Sequence, residues 1–205
     1  MDREGEELKI NFERLSQFEK EYGDEEVLVY GFTYIIWSKF VKVLHEMHKK
    51  LSFPKSKIIH SGGWKKLVNQ KVSKDEFSKV TASLFNTKCN NVLDFYGMVE
   101  QLGVVFIDCE CGYKHVPDFS EVIIRDLNTL EEVPIGKSGL IQVMSTLASS
   151  YPSQAILTED IGELVGIDDC KCGRKGKYFK FKSRVEKAEI RGCGDTFAEK
   201  EKLND

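Results

Sequence analysis

Two short clusters of cysteine and histidine residues carry the clearest chemical signal in this sequence. The first, CECGYKH, occupies positions 109–115, and the second, CKCGR, occupies positions 170–174. Thiolates and imidazoles are the ligands that zinc prefers, and a structural zinc site holds four of them in a tetrahedron. One set that could bind a single ion is Cys111, His115, Cys170 and Cys172. Such a site would join two segments that are distant in sequence, so that metal binding would stabilise the fold.

The ligand set has alternatives. Cys109 could take the place of Cys111, although the alternation of side chains along the adjacent strand favours Cys111. The residues could also be buried free thiols beside an exposed histidine. A redox role is disfavoured because the sequence contains no C-x-x-C motif.

The composition is that of a globular protein and excludes several functional classes. Apolar residues make up 41% of the 205 residues and charged residues 31%, with a net charge of −3. Because the sequence has no sustained basic stripe, we expect no nucleic-acid partner. No apolar run approaches the ~20 residues that span a membrane, so we expect no membrane span. The charged start, MDREGEELKINFERL, lacks an apolar signal segment. We therefore expect a cytoplasmic protein, in which paired cysteines favour metal binding over disulfides.

The first half of the chain alternates predicted helices and strands. Apolar residues at helical spacing predict helices over residues 11–23 and 33–50, and a capping-box pattern that begins at Ser73 predicts a third. The short apolar run at 26–32 predicts a buried strand, and SKIIHSGGW at 56–64 predicts a strand that leaves through two glycines into a loop. This alternation predicts an α/β fold with a parallel layer over residues 1–105.

The second half has a different pattern, with short apolar runs that are separated by glycine, proline, asparagine and aspartate. The predicted strands are GVVFIDCE, SEVIIRD, SGLIQVMSTL, QAILTEDIGELVGI and KYFKFKSR. They indicate a small antiparallel sheet or barrel over residues 106–205.

Several motifs in a fixed order resemble those of one family. The motifs are FYGMVEQ, CECGYKH, TEDIG, CKCGRKGKYF and EIRGC. In this order they resemble the acyl-protein synthetase of the bacterial luminescence fatty-acid reductase complex, a branch of the adenylate-forming superfamily close to the phenylacetate-CoA ligases. The resemblance covers most of the chain. It implies the C-terminal half of an adenylate-forming ligase domain, which uses ATP to activate a fatty acid and transfers the acyl group to a thiol.

The resemblance also assigns roles in nucleotide binding. HSGGW resembles the loop beside the adenine, in which Gly62 and Gly63 would allow close approach. YGMVE resembles a signature in which Tyr96 stacks near the adenine, next to Gly97, and Glu100 helps to hold Mg²⁺, with Val99 where many relatives have threonine. TEDIG resembles the segment whose acid, here Asp160, binds the ribose hydroxyls. The segment 182–193 resembles the hinge, with Arg184 directed at the ribose or phosphate, Glu186 as the hinge acid and Ser183 in place of the usual glycine.

Two further roles come from the same family. The ECGYKH and CKCGR segments resemble those associated with a structural zinc, which supports the set Cys111, His115, Cys170 and Cys172. In the luminescence branch a cysteine near the C-terminus receives the acyl group and passes it to a partner reductase. Cys193 lies in IRGCGDT, with Arg191 nearby to favour its thiolate, and is the candidate nucleophile.

The glycine-rich loop that holds the ATP phosphates in this superfamily has no counterpart in the sequence. We therefore expect this polypeptide to be inactive alone, as a fragment, as one half of a split enzyme that needs the missing N-terminal half, or as a degenerate remnant. Two other functions remain open, namely a coenzyme A ligase of the phenylacetate-CoA ligase type and a non-catalytic, zinc-stabilised binding module. The acyl chain preference is not readable from the sequence.

Overall fold

The computed structural model describes residues 2–4, 7–64, 71–149 and 151–185. These residues form two compact units, the first of which extends to Leu93 and the second of which begins at Asp94. The boundary that the sequence predicts between residues 105 and 106 therefore lies inside the second unit. None of the helices in the described ranges is long and apolar enough to cross a membrane.

The first unit contains the predicted helices and a parallel pair of strands. In chain order its elements are β1 (Asp2–Glu4), β2 (Glu7–Lys9), α1 (Phe12–Tyr22), β3 (Leu28–Phe32), α2 (Thr33–Ile35), a π-helical stretch (Ile36–Val41), α3 (Lys42–Glu46), β4 (Lys57–Ser61) and α4 (Lys74–Phe85). β3 and β4 run parallel, in a register that pairs Leu28 with Lys57 and Phe32 with Ser61. The predicted α/β fold with a parallel layer is therefore confirmed.

Local sequence signals set the ends of the helices in this unit. α1 begins where the side chain of Asn11 accepts a hydrogen bond from the backbone N–H of Arg14 at 2.9 Å. α4 begins where Ser73 Oγ accepts the backbone N–H of Glu76 at 3.1 Å, which confirms the predicted cap. α4 ends at Asn86, in the left-handed region with φ of 56°.

The core of the first unit forms between the helices and one face of the strands. Its fully buried side chains include Val41, Leu44, Ile58 and Phe77. The predicted burial of the whole first strand is wrong, because Leu28 and Tyr30 are exposed. Successive side chains of a strand point to opposite faces, so that Val29 packs against the core while its neighbours do not.

The second unit is β-rich, and its elements begin at the boundary with the first. They are β5 (Val92–Tyr96), of which the last three residues belong to this unit, β6 (Phe106–Ile107), β7 (Lys114–His115), β8 (Ser120–Arg125), β9 (Ser138–Ser145), β10 (Ala155–Ile167) and β11 (Lys177–Arg184). Five of them form a sheet in the order β7-β11-β10-β9-β8, with antiparallel pairing throughout. This sheet confirms the predicted antiparallel layer, and β6 pairs with β5 beside it.

The long β10–β11 hairpin places the motifs at its two ends. At its open end Asp160 is the register partner of Arg184. At its closed end the connection between the strands contains Cys170 and Cys172. One face of the sheet is held by a core that includes Val122, Ile141, Val143 and Phe179, all of them fully buried. The hairpin therefore extends from the Asp160–Arg184 pair to the loop that contains Cys170 and Cys172.

Candidate functional site

Three of the residues assigned to nucleotide binding lie together at the open end of the β10–β11 hairpin. Tyr96, at the end of β5, donates its hydroxyl hydrogen bond to Asp160 Oδ2 at 2.8 Å. Arg184 Nε donates to the other oxygen, Asp160 Oδ1, at 3.2 Å. Each carboxylate oxygen offers two acceptor positions, so Asp160 retains the capacity to accept hydrogen bonds from the hydroxyls of a ligand.

The backbone of the TEDIG segment is fixed by Thr158. The backbone N–H of Asp160 donates to Thr158 Oγ1 at 3.2 Å, and the Thr158 hydroxyl donates to the carbonyl of Ile141 at 2.7 Å. Asp160 lies where the pairing of β10 with β9 shifts register. The two hydrogen bonds of Thr158 fix the backbone at this irregularity.

The ring of Tyr96 is packed into the core of the second unit. It stacks on Phe181 at 5.8 Å and meets Phe179 edge-on at 6.0 Å between ring centroids. Burial, followed by the nearby Asp160 carboxylate, raises the pKa of Tyr96 well above its ordinary value, so that the phenol stays protonated as a donor. The role of Tyr96 in the structure is to hold Asp160, and the sequence-based assignment to an adenine stack is a prediction that these contacts do not test.

Glu100, the predicted Mg²⁺ ligand, follows Tyr96 by four residues in the chain. It is exposed in a short 3₁₀ turn (Val99–Gln101) and lines a cavity of about 430 Å³ with apolar and serine side chains. The lining residues of this cavity do not include Tyr96, Asp160 or Arg184. Of the residues that line it, Glu100 alone carries a carboxylate, and the other side-chain oxygens there are serine hydroxyls, the amide oxygen of Gln101 and the phenol of Tyr151.

The predicted glycines occupy turns with distinct geometries. Gly62 and Gly63 follow β4 in the first unit, and both are exposed. Gly62 has φ of +86°, in the left-handed region that favours glycine. Gly97 lies against the carbonyl of Val104, where an added Cβ would come within 3.2 Å of the oxygen. Cys193, Glu186 and Arg191 lie outside the described residues.

A Cys/His cluster forms at the closed end of the hairpin, and it differs by one residue from the set predicted from sequence. Its members, within the part of the chain that the structure describes, are Cys109, His115, Cys170 and Cys172, whose candidate ligand atoms all lie within 4.8 Å of one another. Cys109 replaces Cys111, whose side chain is exposed.

The geometry of the Cys/His cluster suits a tetrahedral metal. The Sγ atoms of Cys109 and Cys170 are 3.9 Å apart, and Cys172 Sγ lies 3.3 Å from His115 Nε2. A tetrahedron with zinc–sulfur bonds of about 2.3 Å has edges of about 3.8 Å between sulfurs. A disulfide would require about 2.0 Å. The residues therefore fit a zinc ion better than a disulfide.

Two further features of the cluster bear on the binding of a cation. Burial raises the pKa of the Cys170 thiol to about 12, because the apolar surroundings disfavour the thiolate. The Nδ1 atom of His115 is buried and makes no hydrogen bond within the described ranges. A bound metal ion would lower the pKa of the Cys170 thiol, because coordination deprotonates a thiol.

Two turns with the same pattern present the cysteines. In CECG and in CKCG the glycine N–H donates to the carbonyl of the first cysteine, at 2.8 Å for Gly112 and Cys109 and at 2.9 Å for Gly173 and Cys170. Both glycines have positive φ, of 76° and 85°. The repeated C-x-C-G spacing is a signal that could have identified Cys109 as the counterpart of Cys170.

An ion pair joins the two turns across the cluster. Arg174 Nη2 donates to Glu110 Oε1 at 3.0 Å, and Nη1 contacts the other carboxylate oxygen. The hydrogen bonds from Arg174 lower the pKa of Glu110 to about 2. The ring of His115 stacks on Tyr178 at 5.5 Å, which fixes the imidazole plane from the side of β11.

Comparison with solved structures identifies the fold. A 2-hydroxyisobutyryl-CoA ligase, solved with 2-HIB-AMP and CoA, superposes with a TM-score of 0.60 at 20% identity, over 88% of this chain and 40% of that protein. The fold is therefore that of the adenylate-forming ligases.

Comparison of the sequence identifies the family. The chain belongs to the LuxE family of acyl-protein synthetases, whose family model matches residues 1–202. Long-chain-fatty-acid–luciferin-component ligases of Aliivibrio fischeri and Vibrio harveyi are 34% and 30% identical to it, over 106 and 137 residues. These alignments cover 51% and 66% of this chain and 28% and 35% of the relatives, so the matched part spans about a third of each relative.

Proposed function

We propose that this chain is the C-terminal part of an ATP-dependent, fatty acid-activating acyl-protein synthetase. The single observation that carries the proposal is the convergence of Tyr96 and Arg184 on Asp160 in a chain of the LuxE family. The names of the relatives supply the substrate class, a long-chain fatty acid.

In the proposed site Asp160 binds the ribose hydroxyls of ATP and of the acyl-adenylate. The hydrogen bond from Tyr96 and the contact with Arg184 orient both carboxylate oxygens before the nucleotide arrives, which reduces the ordering that binding must impose. Arg184, whose side chain is partly exposed, is proposed to contact a phosphate or ribose oxygen. Magnesium would neutralise charge on the transferring phosphoryl group, and Glu100 remains its candidate ligand from this chain.

The acyl group is proposed to move from the adenylate to Cys193. The thiolate would attack the acyl carbonyl, AMP would leave with the bonding electron pair, and a thioester would remain on the enzyme. The four residues of the Cys/His cluster are proposed to bind a structural zinc ion that stabilises the hairpin.

The nucleotide part of the proposal is tested by ATP binding to the full chain. Asp160→Asn should weaken ATP binding at least tenfold, because the amide replaces one acceptor oxygen by a donor. The matched control is Glu159→Gln, which changes the adjacent, exposed acid on the same strand and should leave ATP binding unchanged. Equal affinities in the wild type and Asp160→Asn would contradict the proposed role of Asp160.

The acyl-transfer part is tested separately from adenylation. The sequence lacks a phosphate-binding loop, so we expect no ATP–pyrophosphate exchange by this chain alone with any fatty acid. Incubation with a preformed long-chain acyl-adenylate should instead give an acylated protein, detected by mass spectrometry and released by hydroxylamine. Cys193→Ala should abolish the product, whereas Cys89→Ala, which removes an exposed thiol, should not. Acylation that persists in Cys193→Ala would exclude Cys193 as the acceptor.

A further inference from the structure

A lysine is buried between two carboxylates beside the Cys/His cluster. Lys114 Nζ lies 2.7 Å from Asp94 Oδ2 and 3.1 Å from Asp108 Oδ1. The side chains of Lys114 and Asp108 are only 5% and 4% exposed. Burial of the Lys114–Asp108 ion pair, beside the 28% exposed side chain of Asp94, is costly, and removal of one partner from a buried ion pair is strongly destabilising. None of the three residues belongs to the Cys/His cluster or to the group around Asp160.

The positions of these residues in the chain indicate what they hold in place. Asp108 immediately precedes Cys109, and Lys114 immediately precedes His115. The backbones of Asp108 and Lys114 face each other as an isolated β-bridge across the CECG turn. The ammonium group of Lys114 therefore connects the residue before Cys109 with the residue before His115.

The same lysine connects this turn to the strands on either side. Asp94 lies on β5, and its carbonyl accepts the backbone N–H of Asp108 at 2.9 Å. On the other side, β7 pairs Lys114 with Phe179 of β11. β7 has only two residues, so its pairing with β11 is short. The ion contacts add a side-chain restraint to this short pairing.

We propose that Lys114 is a positioning residue of the metal site, which sets the separation of Cys109 and His115 through its contacts with Asp108 and Asp94. This inference rests on the proposed metal site. Ligand atoms must lie within a few tenths of an ångström of their ideal distances for a metal to bind tightly. Without the ammonium, the buried carboxylate of Asp108 and the partly exposed carboxylate of Asp94 would lose this shared partner, and their repulsion would separate the turn from β5.

The test measures zinc affinity and the absorption spectrum of the Co²⁺-loaded full chain, which reports on ligand geometry. Lys114→Met should weaken zinc binding about tenfold or more, the scale on which residues that orient ligands act. It should also change the Co²⁺ spectrum. Lys114→Arg, which keeps the charge, should restore part of the affinity. Lys137→Met, which removes an exposed lysine of the same unit, should change neither measurement.

A loss of stability alone could mimic this result, so a destabilised core variant is needed as a second control. Val143→Ala removes fully buried methyl groups in the same unit, and should lower the stability but keep the Co²⁺ spectrum of the wild type. If Lys114→Met does not fold, Asp108→Asn takes its place, because it keeps the side-chain shape and leaves Lys114 paired with Asp94. It should weaken zinc binding and change the Co²⁺ spectrum.

The outcomes separate this inference from the proposed metal site. A wild type that binds neither Zn²⁺ nor Co²⁺ would refute the metal site itself. The wild type could instead bind both metals while Lys114→Met keeps the same zinc affinity and Co²⁺ spectrum. That result would overturn the role of Lys114 alone. If Lys114→Met does not fold, the same result in Asp108→Asn would overturn it.

Discussion

Replacement of Tyr96 by phenylalanine removes one oxygen atom and leaves the aromatic ring in place. The lost group is the hydroxyl that donates to Asp160 Oδ2 at 2.8 Å. The ring contacts with Phe106, Phe179 and Phe181 are retained, so no cavity forms in the core. The perturbation is therefore confined to the hydroxyl, which interacts with the Asp160 carboxylate and with the Thr158 side chain.

The expected loss of stability is worked from the hydrogen bond between Tyr96 and Asp160. A hydrogen bond to a charged group contributes about 1.5–3 kcal/mol. Arg184 remains on the other oxygen, but its side chain is 44% exposed, and an exposed ion pair adds little. For a chain of this size, where 1 kcal/mol shifts Tm by about 2–4 °C, we expect Tyr96→Phe to lower Tm by about 3–12 °C.

The assay combines thermal unfolding, followed by circular dichroism, with ATP binding. Tyr178→Phe is the matched control, because Tyr178 also donates to an aspartate of this unit, Asp169 Oδ1, at 2.9 Å. Both variants should be less stable than the wild type. Only Tyr96→Phe should weaken ATP binding as well, because only Asp160 belongs to the proposed nucleotide site.

The stability of the wild type at alkaline pH provides a second measurement for the same variant. Burial and the Asp160 carboxylate raise the pKa of Tyr96 in the folded protein above the value of about 10 in the unfolded chain. The unfolded chain therefore loses this proton first, and the contribution of Tyr96 to stability declines as pH rises above 10. Above pH 10 the stability of Tyr96→Phe should therefore fall less steeply than that of the wild type.

Two results would refute the reasoning. Equal Tm values for Tyr96→Phe and the wild type would mean that the hydroxyl contributes nothing to the fold. A loss of stability with unchanged ATP affinity would mean that Asp160 is held for the fold alone and not for a nucleotide.

Three further perturbations have expected outcomes. Cys109→Ser should weaken zinc binding at least tenfold, and Cys111→Ser should not, as measured by competition with a chromophoric chelator. A loss of affinity in Cys111→Ser but not in Cys109→Ser would support the ligand set predicted from sequence. Gly162→Ala should destabilise the fold by about 1–3 kcal/mol in urea unfolding, because its Cβ would lie 2.7 Å from Ile141 side-chain atoms, and an unchanged midpoint would show that the sheet adjusts without cost. Phe179→Ala should cost about 3–5 kcal/mol in the same assay, since the ring is fully buried, and a cost below 1 kcal/mol would mean that the core closes around the gap.

Local patterns in the sequence account for most of the secondary structure. The cap at Ser73, the stop at Gly23 and the apolar runs of β8 to β11 all involve interactions within a few residues, so they can be read without the fold. The separation into an α/β part and an antiparallel part follows from the same patterns. The burial of β3 could not be read in this way, because burial depends on which strands and helices cover each face.

The sequence predicted one nucleotide site with Glu100, Asp160 and Arg184 and one metal site with four Cys and His residues. Asp160 and Arg184 were predicted to share a site, and the register of β10 and β11 makes them direct partners. Cys111 was preferred to Cys109 on the assumption that the strand continues. The strand instead ends at Ile107, and the turn that follows directs Cys109 inward.

The residue types and their order along the chain were sufficient to indicate the family, the fold class and the kinds of ligand, because thiols, imidazoles and carboxylates have the same chemistry in any fold. Tertiary structure alone decided which of these groups meet. The exchange of Cys111 for Cys109, the contacts of Tyr96 and Arg184 with Asp160 and the burial of Lys114 beside Asp94 and Asp108 all depend on turns and strand register. Register and turn geometry are fixed by contacts between segments that are remote in sequence. A local sequence pattern does not predict those contacts.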